Sequence, residues 1–171
     1  STVEIVNLTA SPNPVTLSLL GVTGVTAINN LSSANGATVT VSNVGAPVNS
    51  TLTGVQAATT IGYATAVTAA TALTDASTVT LAGTALGTSY TATGIELVTV
   101  DSTTSANVVS SLAVASATSV TVTGDQALTI AQIPFIILKT RIVQKANSKL
   151  GDILLVKPII KADNILNIPQ I

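Results

Sequence analysis

The chain has 171 residues and a formal net charge of −1, with 47% hydrophobic, 8% charged and 2% aromatic residues. Ordinary soluble domains carry about 25% charged residues, yet low hydrophobicity and high net charge, the marks of disorder, are both absent. The chain contains no Cys, His, Met or Trp. That excludes a disulfide framework, a thiol nucleophile, a zinc–thiolate site and histidine acid–base chemistry. It also leaves no readily oxidised sulfur, which suits exposure outside the cell. No apolar run reaches the roughly 18 residues that a transmembrane helix needs. The lack of Met marks the chain as a processed product or an excised segment.

The apolar residues are mostly Ala, Val, Leu and Ile, and Thr dominates the polar ones. β-Branched side chains are stiff at χ1 and fit a pleated surface better than a helix. An all-β fold follows, with a core of small aliphatic side chains in closely spaced layers.

Along the chain, short strand signals recur at Val15-Thr16-Leu17, Val39-Thr40-Val41, Val79-Thr80-Leu81, Val98-Thr99-Val100 and Val120-Thr121-Val122, with a weaker one at Thr59-Thr60-Ile61. From Val39 onward they follow one another at steps of roughly 20 residues, a period typical of stacked units sharing one core. Turn signals lie between them: Asn35-Gly36, Gly54, Gly83, Gly87, Gly94 and Gly124-Asp125. The clearest unit runs from Leu112 to Ile130. There Leu112, Val114, Val120, Val122, Leu128 and Ile130 are spaced to point inward along three extended pieces, with Gly124-Asp125 at the corner. Val inside and Thr outside is the alternation of a half-buried strand. The predicted fold is a parallel β-solenoid, β-helix-like, over residues 1–132, with a β-sandwich of short strands as the alternative.

Composition breaks near residue 132. Residues 1–132 hold five acids (Glu4, Asp75, Glu96, Asp101 and Asp125) and no base, so their net charge is −5. All 6 basic residues fall between Lys139 and Lys161, and with two acids they give residues 133–171 a net charge of +4. Thr becomes rare there and Ile dense. This basic tail reads as a hairpin, a disordered extension, or a non-native extension such as a fusion scar or shifted-frame translation. In the hairpin reading, a mixed strand around Ile136–Ile142 turns through 147–152 into Ile153–Val156. Its bases, Lys139, Arg141, Lys145, Lys149, Lys157 and Lys161, invite a polyanion, but only Phe135 offers a stacking surface. Nucleic acid is not a predicted partner.

The motifs TDASTVTLAG, TGIELVTVD and SATSVTVTGDQALTI, in units around 74–83, 94–101 and 112–130, resemble the Thr/Ala/Val/Gly-rich repeats of bacterial S-layer proteins and large secreted adhesins. The resemblance covers roughly residues 35–131. It implies a secreted, cell-surface β-segment, often calcium-stabilised, that packs into a lattice or a stalk. The GGxGxD-like calcium nonapeptide of many such proteins is absent.

Several residues are candidates for chemistry. Asp75, Asp101 and Asp125 each sit at a strand edge or corner and are the calcium candidates. Calcium takes six to eight oxygens and no single loop supplies more than one acid, so the alternative is that they cap backbone amides in turns. Glu96 and Asp101 flank the strand signal 97–100 at an odd spacing that puts them on opposite faces, Glu96 toward solvent and Asp101 at the strand end. Thr-x-Thr pairs at Thr38/Thr40, Thr51/Thr53, Thr78/Thr80, Thr91/Thr93 and Thr121/Thr123 match the outward arrays of ice-binding solenoids, though their spacing along the chain is irregular. N-x-S/T sequons lie at Asn7, Asn30 and Asn49. Serines have no histidine partner, and no phosphate loop is present. The expected function is non-enzymatic: a structural, self-associating module of an extracellular surface layer or adhesin. The alternative is a surface-binding module for ice or cell-surface polysaccharide.

Overall fold

The computed structural model describes residues 4–68, 74–133, 141–144 and 154–155. The chain winds into a parallel β-solenoid of about 6 turns. Each full coil lays one strand in a long sheet, which runs in spatial order β1 (Ile5–Leu8), β3 (Ala27–Leu31), β5 (Asn49–Thr53), β7 (Ala76–Ala82), β9 (Leu97–Thr103), β12 (Ser119–Gly124), β14 (Arg141–Gln144). A facing sheet holds β2 (Val15–Ser18), β4 (Thr38–Val44), β6 (Ala58–Tyr63), β8 (Ser89–Thr93) and β11 (Ser111–Ala113). In the last coils β10 (Asn107–Val109), β13 (Leu128–Ile130) and β15 (Leu154–Leu155) form a third sheet. A single helical turn, α1 (Thr65–Thr68), follows β6.

All strand pairing is parallel and runs from coil to coil. That rules out the β-sandwich. Along the long sheet the repeat is 22 residues in most steps, as in the pairs Ile5 with Ala27 and Leu97 with Ser119, and 21 between β7 and β9. The roughly 20-residue step read from the sequence mixes two columns. Val39 and Thr59 belong to the facing sheet, whereas Val79, Val98 and Val120 belong to the long one. Val79 stacks on Val100, not on Val98. Between β5 and β7 the step lengthens to 29 residues, and the extra chain carries α1.

Alternation explains the layers. In β7 the residues Ser77, Val79 and Leu81 are buried while Thr78, Thr80 and Ala82 are only half-buried. Register then builds continuous inward columns. One runs Val6, Ile28, Ser50, Val79, Val100, Val122; its neighbour runs Leu8, Asn30, Leu52, Leu81, Ser102, Gly124. Across the core, Val39, Thr59, Tyr90 and Leu112 stack in the same way. Fully buried Tyr90 needs room, and Ser50 supplies it from the opposite sheet, accepting the phenol hydrogen at 3.2 Å. The six inward positions expected in the 112–130 unit are all buried.

The corners carry the polar load. Asn107 is buried, and its Oδ1 accepts from the Thr84 amide at 2.8 Å while its Nδ2 donates to the Ser102 hydroxyl and the Ser105 carbonyl. Asn30 donates to Thr59 across the core at 2.7 Å and accepts from Ser33. Its sequon is therefore internal, whereas those at Asn7 and Asn49 are exposed. Of residues 133–171, β14 stacks on β12 and β15 on β13. The remaining part of the tail from residue 134, including Phe135, Lys139, Lys145, Lys149, Lys157 and Lys161 and the turn at 147–152, lies outside the described residues.

Gly124 shows how tightly the coils close. Its φ is +107°, and a Cβ there would collide with the Ser102 carbonyl oxygen and lie 2.6 Å from the Ser102 nitrogen. That same carbonyl accepts the amides of Asp125 and Gln126. Gly36 also has positive φ, +79°, but open space around it. Gly124→Ala is expected to destabilise by roughly 2 kcal/mol more than Gly36→Ala, since only the former adds a steric clash to the backbone cost. Chemical denaturation of the two variants measures the difference; equal effects would mean the corner yields. Leu52→Ala, at a fully buried inward position, is expected to cost about 3 kcal/mol, against less than about 0.5 kcal/mol for Thr99→Ala on the outer face.

Candidate functional site

The acids do not converge. Asp75 sits at the corner before β7, where its carbonyl accepts the amides of Glu96 and Leu97. One coil on, Glu96 occupies the equivalent corner, and its carbonyl accepts the amides of Thr118 and Ser119. The Glu96 side chain turns back along the axis, and Oε2 accepts the Asp75 amide at 3.2 Å. Glu96 is thus buried rather than solvent-facing, because capping an otherwise orphaned amide offsets its desolvation. Asp101 does not end its strand: β9 continues to Thr103. Asp101 accepts the hydroxyl of Thr123 from the next coil at 2.8 Å. Asp125 is exposed at the corner after β12. Among the described residues no three Asp or Glu side chains gather where one cation could reach them. Asp75, Asp101 and Asp125 lie in three separate places, two at corners and one on a strand face.

The interior holds a polar cluster that the sequence patterns did not reveal. The Ser77 hydroxyl donates to the Val48 carbonyl at 2.6 Å, and the Tyr63 hydroxyl points at the same oxygen at 3.5 Å. Tyr90 lies beside them, bonded to Ser50. Burial pushes the Tyr90 phenol well above its ordinary value, reinforced by nearby Tyr63 and opposed by the bonds to Ser50 and Ser77. Tyr63 is raised for the same leading reason. Asp75 adds to the rise at Tyr63, and Tyr90 is buried away from solvent.

The organised surfaces are the two outer sheet faces. On the facing sheet, register aligns Thr16, Thr40, Thr60, Thr91 and Ala113 in one column. Beside it run Thr38, Ala58, Ser89 and Ser111. No charged residue stands in these columns. On the long sheet, one outer column is Asn49, Thr78, Thr99, Thr121 and the next is Asn7, Asn29, Thr51, Thr80, Asp101, Thr123. The Thr-x-Thr pairs that look irregular along the chain therefore fall onto two opposite faces. Thr78/Thr80 and Thr121/Thr123 share columns, with Thr99/Asp101 between them.

The long sheet also carries a shallow cleft of about 360 Å³. One wall is Ala76, Leu97 and Ser119; the other is the column Asn49, Thr78, Thr99 and Thr121. A second cleft, of about 180 Å³, lies among the corner residues Leu19, Val22, Val25 and Val44. Both clefts lack a nucleophile–base pair. No helix among the described residues is long and apolar enough to cross a membrane. Compared with protein-family models, with curated proteins and with solved structures, the chain matches none.

Two outcomes follow. Tyr90 is held neutral in the folded state and ionises near pH 10 when unfolded. Its stabilisation is full below about pH 10 and is lost as pH rises above it. Tyr90→Phe is expected to flatten the alkaline fall in stability measured by denaturation across that range; an unchanged slope would place the fall elsewhere. Since the three aspartates do not converge, Asp75→Asn, Asp101→Asn and Asp125→Asn are each expected to melt at the same temperature in calcium as in chelator. A calcium-dependent rise that one of them abolishes would mark it as a ligand.

Proposed function

We propose that the chain is a structural, non-enzymatic module of an extracellular surface layer or adhesin, acting by association with further copies of itself. The observation that carries this reading is the outer face of the facing sheet. Its Thr, Ser and Ala side chains are short, uncharged and in register over five strands. Such a face meets a second copy with little loss of side-chain entropy and no charge to desolvate. Unlike a globular surface, it repeats every coil, so contacts add up along the axis.

The full chain is expected to form sheets or filaments visible by negative-stain electron microscopy, with matching growth in light scattering. Thr40→Lys with Thr60→Lys places two adjacent charges in the central column, and like charges brought together across an interface cost on the order of several kcal/mol. The double variant is expected to keep its far-ultraviolet circular dichroism while losing lateral assembly. A monodisperse wild-type chain, or assembly that ignores the two lysines, overturns the reading of this face.

A further inference from the structure

The cleft on the long sheet calls for an occupant of a different kind. It runs along the solenoid axis and crosses β5, β7, β9 and β12. Its floor dips between the outer columns to Ser77 and Val98. At about 4.8 Å per coil, four coils give it a length of roughly 15 Å. Its walls repeat: a small or apolar residue on one side in three coils, an amide or hydroxyl on the other in all four. Leu97 stands 40% exposed at the middle of the first wall. On the second wall Asn49 is held in place, its Oδ1 accepting the Thr78 amide at 3.0 Å. The hydroxyls of Thr78, Thr99 and Thr121 stand on successive coils of that wall with no hydrogen bond to protein among the described residues.

We infer that this cleft binds a neutral polysaccharide lying along the axis, one sugar to each coil. Charge narrows the class first. Acidic Asp101 stands one outer column over and basic Arg141 is in register with Ser119 at the end of the first wall, so no single sign of charge runs along the cleft to select an anionic or a cationic polymer. Backbone chemistry narrows it next. The strands beneath the cleft spend their amides and carbonyls on neighbouring coils, so an extended peptide laid across them finds no ladder to join. A flat ice lattice suits a plane better than a recess, and Asp101 interrupts the Thr column beside it. A sugar chain meets each demand. Its hydroxyls pair with Thr and Asn side chains, its apolar ring faces cover Leu97 and Ala76, and an extended β-linked hexose chain advances per residue by about the rise of one coil.

The test uses the full chain and neutral β-linked oligosaccharides of two to six residues, glucose- and N-acetylglucosamine-based, followed by calorimetry and by amide chemical shifts. Affinity is expected to climb with length up to about four sugars, the number of coils crossed, and then to level off. Leu97→Ala and Thr99→Arg sit on the outer face and are each expected to weaken binding about tenfold or more with unchanged circular dichroism. Thr40→Lys with Thr60→Lys, on the opposite face, is expected to leave it untouched, so failure here is distinguishable from failure of the self-association reading. Absence of binding to every oligosaccharide up to six residues would overturn the inference. So would binding indifferent to Leu97→Ala and Thr99→Arg, a preference for sulfated or uronic-acid chains, or shaping of growing ice crystals in place of sugar binding.

Discussion

Everything in this molecule depends on the parallel backbone ladder from one coil to the next. A strand of this solenoid has no partner within its own coil; its amides and carbonyls are satisfied only by the coils before and after it. The chain must therefore return to the same angular position after each circuit, and 21 or 22 residues do it in most coils of the long sheet. The circuit tolerates extra chain where it leaves the ladder, as the 29-residue step around α1 shows. It does not tolerate a slip within a strand, because a one-residue shift would turn every inward Val outward.

With register set by the backbone, side chains answer to two different rules. Inward positions fill a narrow core, and neighbours there compensate in size. Tyr90 is accommodated by Ser50 and the inward column shrinks from Leu81 through Ser102 to Gly124 as the coil turns its corner. Buried polar atoms are nearly all partnered; Asn29 Oδ1 stands alone among the described residues in lacking a hydrogen bond. Outward positions face no such constraint, so the low charge and short side chains there are not explained by folding. The same scaffold thus yields two unlike faces, one level and uncharged, the other grooved and carrying Asp101.

Much of this was legible from alternation alone. Val-Thr-Val and Val-Thr-Leu triplets are strands because one face is buried, and the six inward positions between Leu112 and Ile130 follow from the same rule. Ala27–Leu31 and Asn49–Thr53 were not legible as strands, because polar Asn30 and Ser50 occupy inward positions and break the apolar pattern. Those residues are inside since each has a partner across the core, Thr59 for Asn30 and Tyr90 for Ser50. That pairing spans 29 and 40 residues and leaves no local trace. The roughly 20-residue step has a related cause: strands of both sheets carry nearly the same triplet, and the series passes from the facing sheet to the long one after Thr59.

The Thr residues show why surface function is harder to read than fold in such a chain. Along the sequence Thr51/Thr53, Thr78/Thr80 and Thr91/Thr93 look like one irregular series. In space Thr78/Thr80 lie on the long sheet and Thr91/Thr93 on the facing one, while Thr51 stacks on Thr80 and Thr53 on Ala82. A face is assembled from residues about 22 apart, so its regularity emerges only after winding. The cleft follows the same logic one step further. No single coil contains it, since each contributes only a short outward side chain to either wall. Four coils in register turn those contributions into a trough, and a polymer that repeats at the coil spacing is the ligand whose contacts multiply with each coil instead of being spent on one.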